Sequence, residues 1–574
     1  MVRARLAWLS VGAALLLTAC SGGRTGAGPP TAPQPTAPPS AAEAARFLTQ
    51  ASFGATDASI SAVRATGYDE WVGQQAATGV SASHLAFVDG RLAALKAANP
   101  NAQLSATEFY ESFWQQAVTG PDQLRQRVKL ALSEIFVVSL NDPNVDVRGA
   151  ASYYDMLGAN AFGNFRTLLE QVSLHPMMGI YLTWLGNQKE DAATGRHPDE
   201  NYAREVMQLM TIGLYELNPD GTRRVSVSGA PIPTYSADDI TGLAKVFTGY
   251  SWYSPTPNTN TFLGRNRDPN ASTRAMIPYP AFHSTSAKVF LGKNIPASGV
   301  SDPAGDLKIA LDTLFAHPNV GPFIGKQLIQ RLVTSNPTPA YVGRVAAVFN
   351  NNGRGVRGDM AAVVRAVLTD PEARNTAAAQ ADPNFGKLRE PVVRMANWMR
   401  AFDAQSQTQA WLIPTTSSNT SLSQSALTSG SVFNFFRPGY SPPGGKVGAL
   451  GYVAPEFQIV DEVSTAGYLN TMQTTIDLGI GNTPPGGAGR DVRSGYAAEM
   501  ALASDPAALV DRVNLLLMNG QMSPGLRTKI LEAVGGVAIP GGGATQAQIN
   551  TALANRSKLA IYMAMASPDY VTQR

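Results

Sequence analysis

Acid–base side chains are concentrated in one short stretch of the chain, which carries His197, Glu200, Arg204 and Glu205. Two carboxylates beside a histidine could serve as the general acid and base of a hydrolase. On a helix, however, Glu200 and Glu205 stand about 140° apart and do not face each other. Glu200 and Arg204 instead have the i,i+4 spacing of an ion pair, which is usually structural. A hydrolase is therefore the alternative hypothesis, with His283 from a later loop completing its site.

The element that would position these groups is a helix predicted over residues 197–215, starting at a His-Pro pair where proline is tolerated. Its apolar face is wide, so we expect a largely buried helix, although Ile212 falls on the polar side. The polar residues form a narrow seam that contains Glu200, Asn201, Arg204, Glu205, Gln208 and Thr211. Because buried charges must be paired, the seam is either an internal ion-pair network or the wall of a cleft. We expect chiefly a network, with a binding cleft alongside, at Asn201 and Gln208, as the alternative.

Metal and nucleophile motifs are weak throughout the sequence. The chain has five histidines, none in a His-x-x-x-His or His-Glu-x-x-His spacing, so we expect no metal site and no other cofactor. Residues 225–229 lack the first glycine of a Gly-x-Ser-x-Gly nucleophile motif. Residues 353–358 have the glycines of a dinucleotide-binding pattern but no preceding strand, so they are interpreted as a loop.

Two aromatic loops are candidate binding surfaces. One carries Tyr250 and Trp252, and the other carries Arg437 and Tyr440. Such side chains suit carbohydrate stacking or a protein interface. The alternative is that the rings fill the core beneath long loops.

The first 20 residues have the pattern of an export signal, with arginines at positions 3 and 5 and an apolar run at 6–17. The pattern ends at Cys20, the only cysteine of the chain. The four residues that end there resemble the bacterial lipobox, whose cysteine is lipidated and becomes the mature N-terminus. We expect Cys20 to anchor the protein to a membrane through its acyl chains.

Residues 21–40 are rich in proline and glycine and predict an extended, semi-rigid tether. Ser21, where an aspartate would favour retention, resembles the signal for sorting to the outer membrane of diderm bacteria. The expected location is therefore the cell envelope, with a lipid anchor in the outer membrane. With Cys20 modified, no cysteine is left for a disulfide, a thiol nucleophile or a metal ligand.

The remaining chain predicts a mainly α fold: a multi-helix globular body with one short β-hairpin and long irregular loops. The hairpin is predicted after the Asn218–Gly221 turn. Residues 41–574 are interpreted as one large helical domain, with a sub-boundary in the Ser/Thr/Gln-rich residues 404–431 as the alternative. A net charge of +3 over 574 residues, without a basic patch, gives no reason to expect a nucleic-acid partner.

Several short motifs follow one another along this body. They are Arg46–Gly54, Phe162–Leu169, Glu200–Gly213, Tyr235–Ile240, Phe247–Tyr250, Phe282-His283 with Lys288, Lys387–Pro391 and Arg437–Tyr440. In this order they resemble the bacterial family called domain of unknown function 1800. The resemblance implies an exported, mostly helical envelope protein of unassigned activity. It also implies a gene that often lies beside one for an exported sulfatase-like protein, of the family called domain of unknown function 1501.

This chain departs from the family pattern at two places. Many members carry His-Asp where it has His283-Ser284, and many carry histidines where it has Leu157–Ala161. Both departures weaken a catalytic metal site. Our first hypothesis is a lipid-anchored accessory that binds or assembles with another exported protein, such as the sulfatase-like neighbour, or with a surface polymer. The hydrolase is the alternative, and a purely structural envelope protein is a third reading.

Overall fold

Helices dominate the computed structural model, which describes residues 37–574. Within these residues lie 26 α-helices, three 3₁₀ helices and eight short strands, so the prediction of a mainly α fold is confirmed. The predicted signal peptide, Cys20 and the tether up to residue 36 lie outside the described residues. No helix in the described part is long and apolar enough to cross a membrane.

The helices cover the whole described range. The first nine are α1 (Ala41–Ala51), α2 (Asp57–Thr66), α3 (Tyr68–Ala77), α4 (His84–Ala98), α5 (Ala106–Thr119), α6 (Gln123–Ser133), α7 (Val147–Ala159), α8 (Phe165–Leu174) and α9 (Pro176–Tyr181). The next nine are α10 (Asn201–Gln208), α11 (Ala237–Val246), α12 (Thr259–Phe262), α13 (Pro303–Ala316), α14 (Val320–Leu332), α15 (Pro339–Asn350), α16 (Met360–Thr369), α17 (Pro371–Arg374) and α18 (Thr376–Ala381). The last eight are α19 (Pro391–Ala401), α20 (Lys446–Ala449), α21 (Glu462–Leu478), α22 (Ala497–Leu502), α23 (Pro506–Met518), α24 (Pro524–Gly536), α25 (Gln546–Met565) and α26 (Pro568–Val571). The 3₁₀ helices are Ala271–Thr273, Pro280–Phe282 and Pro455–Ile459.

Local sequence explains where many of these helices begin. Eight of them start with proline, whose missing N–H would have no partner in the first turn. Ser40 and Glu43 form a capping box at α1, and Ser236 and Asp239 form one at α11. The fold is therefore built from short helices, many of which begin with proline or with a capping side chain.

The strands form four separate antiparallel pairs. The pairs are β1 (Tyr250–Ser251) with β2 (Ile277–Pro278), β3 (Lys288–Phe290) with β4 (Lys293–Ile295), β5 (Lys387–Leu388) with β8 (Thr572–Gln573), and β6 (Gln405–Ser406) with β7 (Val492–Arg493).

The region of the predicted hairpin, residues 214–234, is named the bridge arm here. It contains isolated antiparallel bridges, including Tyr215 with Pro233 and Val225 with Pro231, rather than a continuous ladder. Proline has no N–H to donate, which explains why the ladder is interrupted.

A continuous hydrophobic core joins helices from the start to the end of the described chain. In its centre, α14 packs against α6, α15 and α16, and α19 packs against α5 and α23. Residues 39–574 form one compact unit. Within residues 404–431, where the sequence offered a sub-boundary as the alternative, the run from Gln424 to Ser429 is buried, and the Gln424 side-chain amide donates to Glu390 Oε2.

Residues near the two ends of the described chain meet in the same core. Strand β8 pairs with β5, and the Gln573 side-chain amide donates to the carbonyl oxygen of Leu332 at 2.8 Å. Arg46 on α1 donates through Nε to the carbonyl oxygen of Arg574 at 2.9 Å. Contacts between residues far apart in sequence therefore hold both ends of the described chain in the same core.

Candidate ligand-binding cavity

A cavity of about 800 Å³ opens beside the predicted polar seam. Its walls come from the end of α10, the bridge arm, α14, the start of α15 and the aromatic loop of residues 433–440. Two buried residues after α6, Glu134 and Ile135, close its inner end, which we call the floor. Apolar side chains such as Phe323 and Val342 make up much of the wall. A concave, mostly apolar space with a few polar groups is typical of a ligand site.

Two glycines shape this cavity. Gly213 has φ +72°, and a Cβ there would lie 2.9 Å from the ring of Phe323. Gly221 has φ +76°, and a Cβ there would lie 2.7 Å from Cγ1 of Val342. Because only glycine adopts positive φ without strain, these residues let the bridge arm turn and approach α14 and α15 closely.

Three cationic side chains face the cavity without an anionic partner. Arg223, Lys326 and Arg437 line it and are exposed, and the charged group of none of them makes a hydrogen bond or ion pair within residues 37–574. The surrounding protein lowers the pKa of Lys326, and the charge of Arg223 lowers it further. Asp220 also lines the cavity, so the three cations leave its mouth with a net positive charge.

The two arginines are held against aromatic rings. The guanidinium carbon of Arg223 lies 4.9 Å from the ring centre of Tyr215, and that of Arg437 lies 4.5 Å from the ring centre of Phe433. Cation–π contacts of this kind hold a guanidinium in place while its N–H edges stay free to donate. The mouth thus presents positioned donors for an anionic group.

Beneath the floor lies a cluster of six ionisable side chains, named the charge cluster here. Its members are each at most 3% exposed: Arg127, Glu134, Arg331, Lys387, Glu390 and Glu456. They come from α6, α14, β5, the residue before α19 and the third 3₁₀ helix. Of the six, only Glu134 and Arg331 also line the cavity.

Ion pairs connect most of this cluster. Lys387 Nζ lies 2.9 Å from Glu456 Oε1 and 3.7 Å from Glu390 Oε1, and Arg127 Nη2 lies 3.8 Å from Glu390 Oε1. Arg331 Nε lies 3.4 Å from Glu134 Oε2. Buried charges at such distances stabilise the fold only as a set, since removing one member leaves the others uncompensated.

Glu134 and Glu390 shift each other's pKa in opposite directions. Burial, followed by the negative charge of Glu390, raises the pKa of Glu134 well above its usual range. Burial would also raise the pKa of Glu390, but a hydrogen bond from Glu134 and the charges of Lys387 and Arg127 outweigh it and lower that pKa to about 2. Neighbouring carboxyl groups disfavour each other's ionisation, and here the shifts favour the neutral form of Glu134 and the ionised form of Glu390. Burial also raises the pKa of Glu456.

The structure separates the residues of the hydrolase hypothesis. Glu200 and Arg204 form a half-exposed ion pair at 3.3 Å, and Glu200 also accepts a hydrogen bond from Thr241 at 2.8 Å. Glu205 is buried, and burial raises its pKa. His197 is exposed. No hydrogen bond or ion pair of residues 37–574 joins His283 to the seam.

His283 belongs to a different buried cluster. Its Nδ1 lies 2.7 Å from the carbonyl oxygen of Thr248, and its Nε2 lies 2.9 Å from Asp306 Oδ2. Lys288 Nζ also lies 2.8 Å from Asp306 Oδ2. Both ring nitrogens lie within hydrogen-bond distance of oxygen atoms. His283 thus links α13 to the loop before β3.

The polar seam is only partly buried, and one of its ends lies at the cavity: Glu205 and Thr211 are buried, Arg204 is exposed, and Glu200, Asn201 and Gln208 are half-buried. Of the predicted binding residues, Gln208 and Arg437 line the cavity. Tyr440 is half-buried beside it and donates its backbone N–H to the carbonyl oxygen of Arg437. Asn201 lies at the other end of the seam, with Nδ2 3.3 Å from Thr183 Oγ1.

The first aromatic loop is part of the core. Tyr250 and Trp252 are 3% and 7% exposed, and the Tyr250 hydroxyl donates to the carbonyl oxygen of Pro303. Arg267 covers the Trp252 ring at 4.6 Å. These rings cannot offer open faces to a ligand.

Sequence reasoning missed the charge cluster and the cations Arg223 and Lys326. One signal was present: α6 carries Arg125 and Lys129 on one side and Arg127 on the opposite side, yet all of its residues are buried. A helix with charges on opposite sides does not have the pattern of a surface helix with one apolar face. The Lys387–Pro391 motif, used only for its resemblance, supplies two more members of the cluster.

Known proteins give a limited comparison. The family model described as "Protein of unknown function (DUF1800)" matches residues 46–572 of the chain. No curated protein and no solved structure matches it. Within residues 37–574, no group of three or more His, Cys, Asp or Glu side chains is placed to hold a metal ion.

Proposed function

The chain belongs to this family of proteins of unknown function, and we propose from its cavity that it is a binding protein for an anionic ligand. The observation that carries the proposal is the set of three cations, Arg223, Lys326 and Arg437, that line the cavity without partners in the described chain. Cations without an anionic partner in the protein can form charge-assisted hydrogen bonds with a ligand that supplies the negative charge.

The floor of the cavity supports the same conclusion. Arg331 lies there with Nε 3.4 Å from Glu134 Oε2, and because burial and the charge of Glu390 favour the neutral form of Glu134, the positive charge of Arg331 is only partly offset. Electric fields are focused in concave sites with low-dielectric walls. An anion inside the cavity is therefore favoured both at the mouth and at the floor.

The proposal includes a location and a partner class. Lipidation of Cys20 would hold the protein at the outer membrane of a diderm bacterium, with residues 21–40 as a spacer between lipid and body. The ligand then comes from the cell envelope, either from another exported protein, such as the sulfatase-like neighbour, or from a surface polymer. In this role the protein is an accessory and not a catalyst.

Fluorescence titration tests the binding proposal with two matched probes. One is 8-anilinonaphthalene-1-sulfonate, which is apolar and anionic, and the other is N-phenyl-1-naphthylamine, which lacks the sulfonate. We expect saturable binding of the anionic probe and a loss of about tenfold or more in affinity in the double variant Lys326→Gln/Arg437→Gln. The neutral probe should bind both proteins alike.

Lys529→Gln/Arg354→Gln is the matched control variant. Both residues are exposed cations whose side chains have no ion-pair partner in the described chain, and neither lines this cavity. The control should leave both titrations unchanged. Equal losses in the two double variants, or the same loss for the neutral probe, would contradict the proposed function.

A further inference from the structure

We propose that the cavity receives an acidic segment of a partner protein, one that also carries apolar side chains, while the folded surface of that partner rests on the apolar residues around the mouth. This inference rests on the proposed function, because it names the ligand class of the same cavity. Three features of the described residues favour a peptide over a lipid or a sugar polymer.

The first feature is an unpartnered donor in the cavity wall. Gln327 on α14 lines the cavity and is 6% exposed, and its Nε2 has no hydrogen-bond partner. A buried amide N–H requires an acceptor. Rotation of the Gln327 side chain would turn this N–H toward the cavity, where a peptide carbonyl or carboxylate oxygen would accept from it. The acyl chain of a lipid has no acceptor to offer there.

The second feature is that an arginine covers one face of each of two aromatic rings at the mouth. Arg223 covers one face of Tyr215, and Arg437 covers one face of Phe433. Sugars bind through open aromatic faces, whereas stacked guanidinium groups present their N–H edges in the fork geometry that fits a carboxylate. The mouth is therefore arranged for aspartate and glutamate side chains.

The third feature is the apolar surface beside the mouth. Eight of the fifteen large apolar side chains that are exposed in the described chain lie on two segments next to the cavity: Leu214, Val225 and Val227 on the bridge arm, and Val447, Leu450, Phe457, Val460 and Val463 beyond the aromatic loop. The second segment is joined to the cavity wall, since the Arg437 N–H donates to Gln458 Oε1 at 2.9 Å.

Exposed apolar side chains gain free energy when an apolar partner surface covers them. A hydrophilic polymer gives no such gain. The combination of a cationic cavity with apolar flanks matches the usual pattern of a protein interface, in which a central polar anchor is surrounded by apolar contacts.

Fluorescence anisotropy on the full chain tests the occupant. The probes are three labelled peptides of equal length: alternating Glu and Leu, alternating Lys and Leu, and alternating Glu and Ser. We expect the Glu/Leu peptide to bind at least about tenfold more tightly than either of the others. Lys326→Gln/Arg437→Gln should abolish that preference, and Gln327→Leu, which removes the unpartnered donor at similar size, should weaken the Glu/Leu peptide about threefold or more. Lys529→Gln/Arg354→Gln should bind as the wild type does.

Two competitors decide between the sources of negative charge. Trigalacturonate represents an acidic surface polymer, and phosphatidylglycerol vesicles represent an anionic lipid surface. Displacement of the Glu/Leu peptide by either one at lower concentration than by unlabelled peptide would overturn the peptide proposal. Absence of peptide binding alongside cation-dependent binding of the anionic naphthalene probe would overturn it too, while leaving the proposed function intact. If neither the Glu/Leu peptide nor the anionic naphthalene probe bound, both the peptide proposal and the proposed function would be refuted.

Discussion

The carboxyl group of Glu134 at the cavity floor and that of Glu390, deeper in the charge cluster, shift each other's pKa in opposite directions. Their environments differ although their residue type is the same. The shifts favour the neutral form of Glu134, and Glu390 is the counter-charge of Lys387 and Arg127. The pair therefore links the wall of the binding cavity to the electrostatics of the core.

The first prediction separates these two roles. Glu390→Gln leaves buried cations uncompensated and should lower the free energy of unfolding by about 3–5 kcal/mol. Glu134→Gln keeps a neutral donor to Glu390 and should cost about 1 kcal/mol or less. Urea unfolding followed by circular dichroism measures both. Similar losses in the two variants would mean that the proton does not reside on Glu134.

The second prediction concerns pH. The pKa of Glu390 is lowered to about 2 from an ordinary 4.5, so its stabilising contribution is fully present above pH 4.5 and is lost as the pH falls toward 2. In a Glu134→Gln background, where the neighbour cannot titrate, the additional loss caused by Glu390→Gln should shrink steadily below pH 4.5. Urea unfolding at a series of pH values measures it, and a pH-independent difference would rule out an ionised Glu390.

The third prediction concerns the turn that shapes the cavity. Gly213→Ala places a Cβ at positive φ against the Phe323 ring and should destabilise the protein by about 1–3 kcal/mol. It should also weaken binding of the anionic probe. Gly90→Ala is the control, because Gly90 lies inside α4 with open space around it. That change should stabilise the protein by up to about 1 kcal/mol.

The fourth prediction tests the cluster around His283. Asp306→Asn removes the carboxylate that neutralises the buried Lys288 and accepts from His283, and should cost about 3 kcal/mol or more. Asp312→Asn, on the same helix, breaks ion pairs of a half-exposed carboxylate and should cost about 1 kcal/mol or less. Thermal unfolding of the two variants provides the comparison, and equal shifts would show that burial of Asp306 is not decisive.

The fifth prediction tests the anchor. Cys20→Ser should abolish incorporation of an alkyne-labelled palmitate and release the protein from the membrane fraction. Fractionation with immunoblotting measures the release, and a Ser21→Ala variant serves as the control. A Cys20→Ser protein that stays in the membrane fraction would contradict a lipid anchor.

Periodicity was sufficient to predict a mainly α fold, because each amphipathic helix records its buried face in its own sequence. The helix predicted over residues 197–215 shows the limit of that reasoning. It spans Asn201–Gln208, and the chain then turns so that the Ile212 and Gly213 N–H groups both donate to the carbonyl oxygen of Met207. Ile212, misplaced on an ideal helix, is fully buried after that turn.

The cavity and the charge cluster could not be predicted from local sequence patterns. The partners of the cluster are far apart in sequence: Glu134 meets Arg331, and Lys387 meets Glu456. Helical spacing carries no information about such pairs. The seam could be identified as polar from its own residues, but whether it faced a cavity depended on α14 and the aromatic loop, which approach it only in the folded chain.

The pairing of β5 with β8 has a consequence for the order of folding. Residues 572–573 complete the surroundings of Lys387, and Arg46 on the first helix donates to the Arg574 carbonyl oxygen. Contacts that span almost the whole sequence form late, because a long loop must close before they stabilise anything. During synthesis the helices that emerge first therefore lack part of their final core until residues 572–574 have also been made.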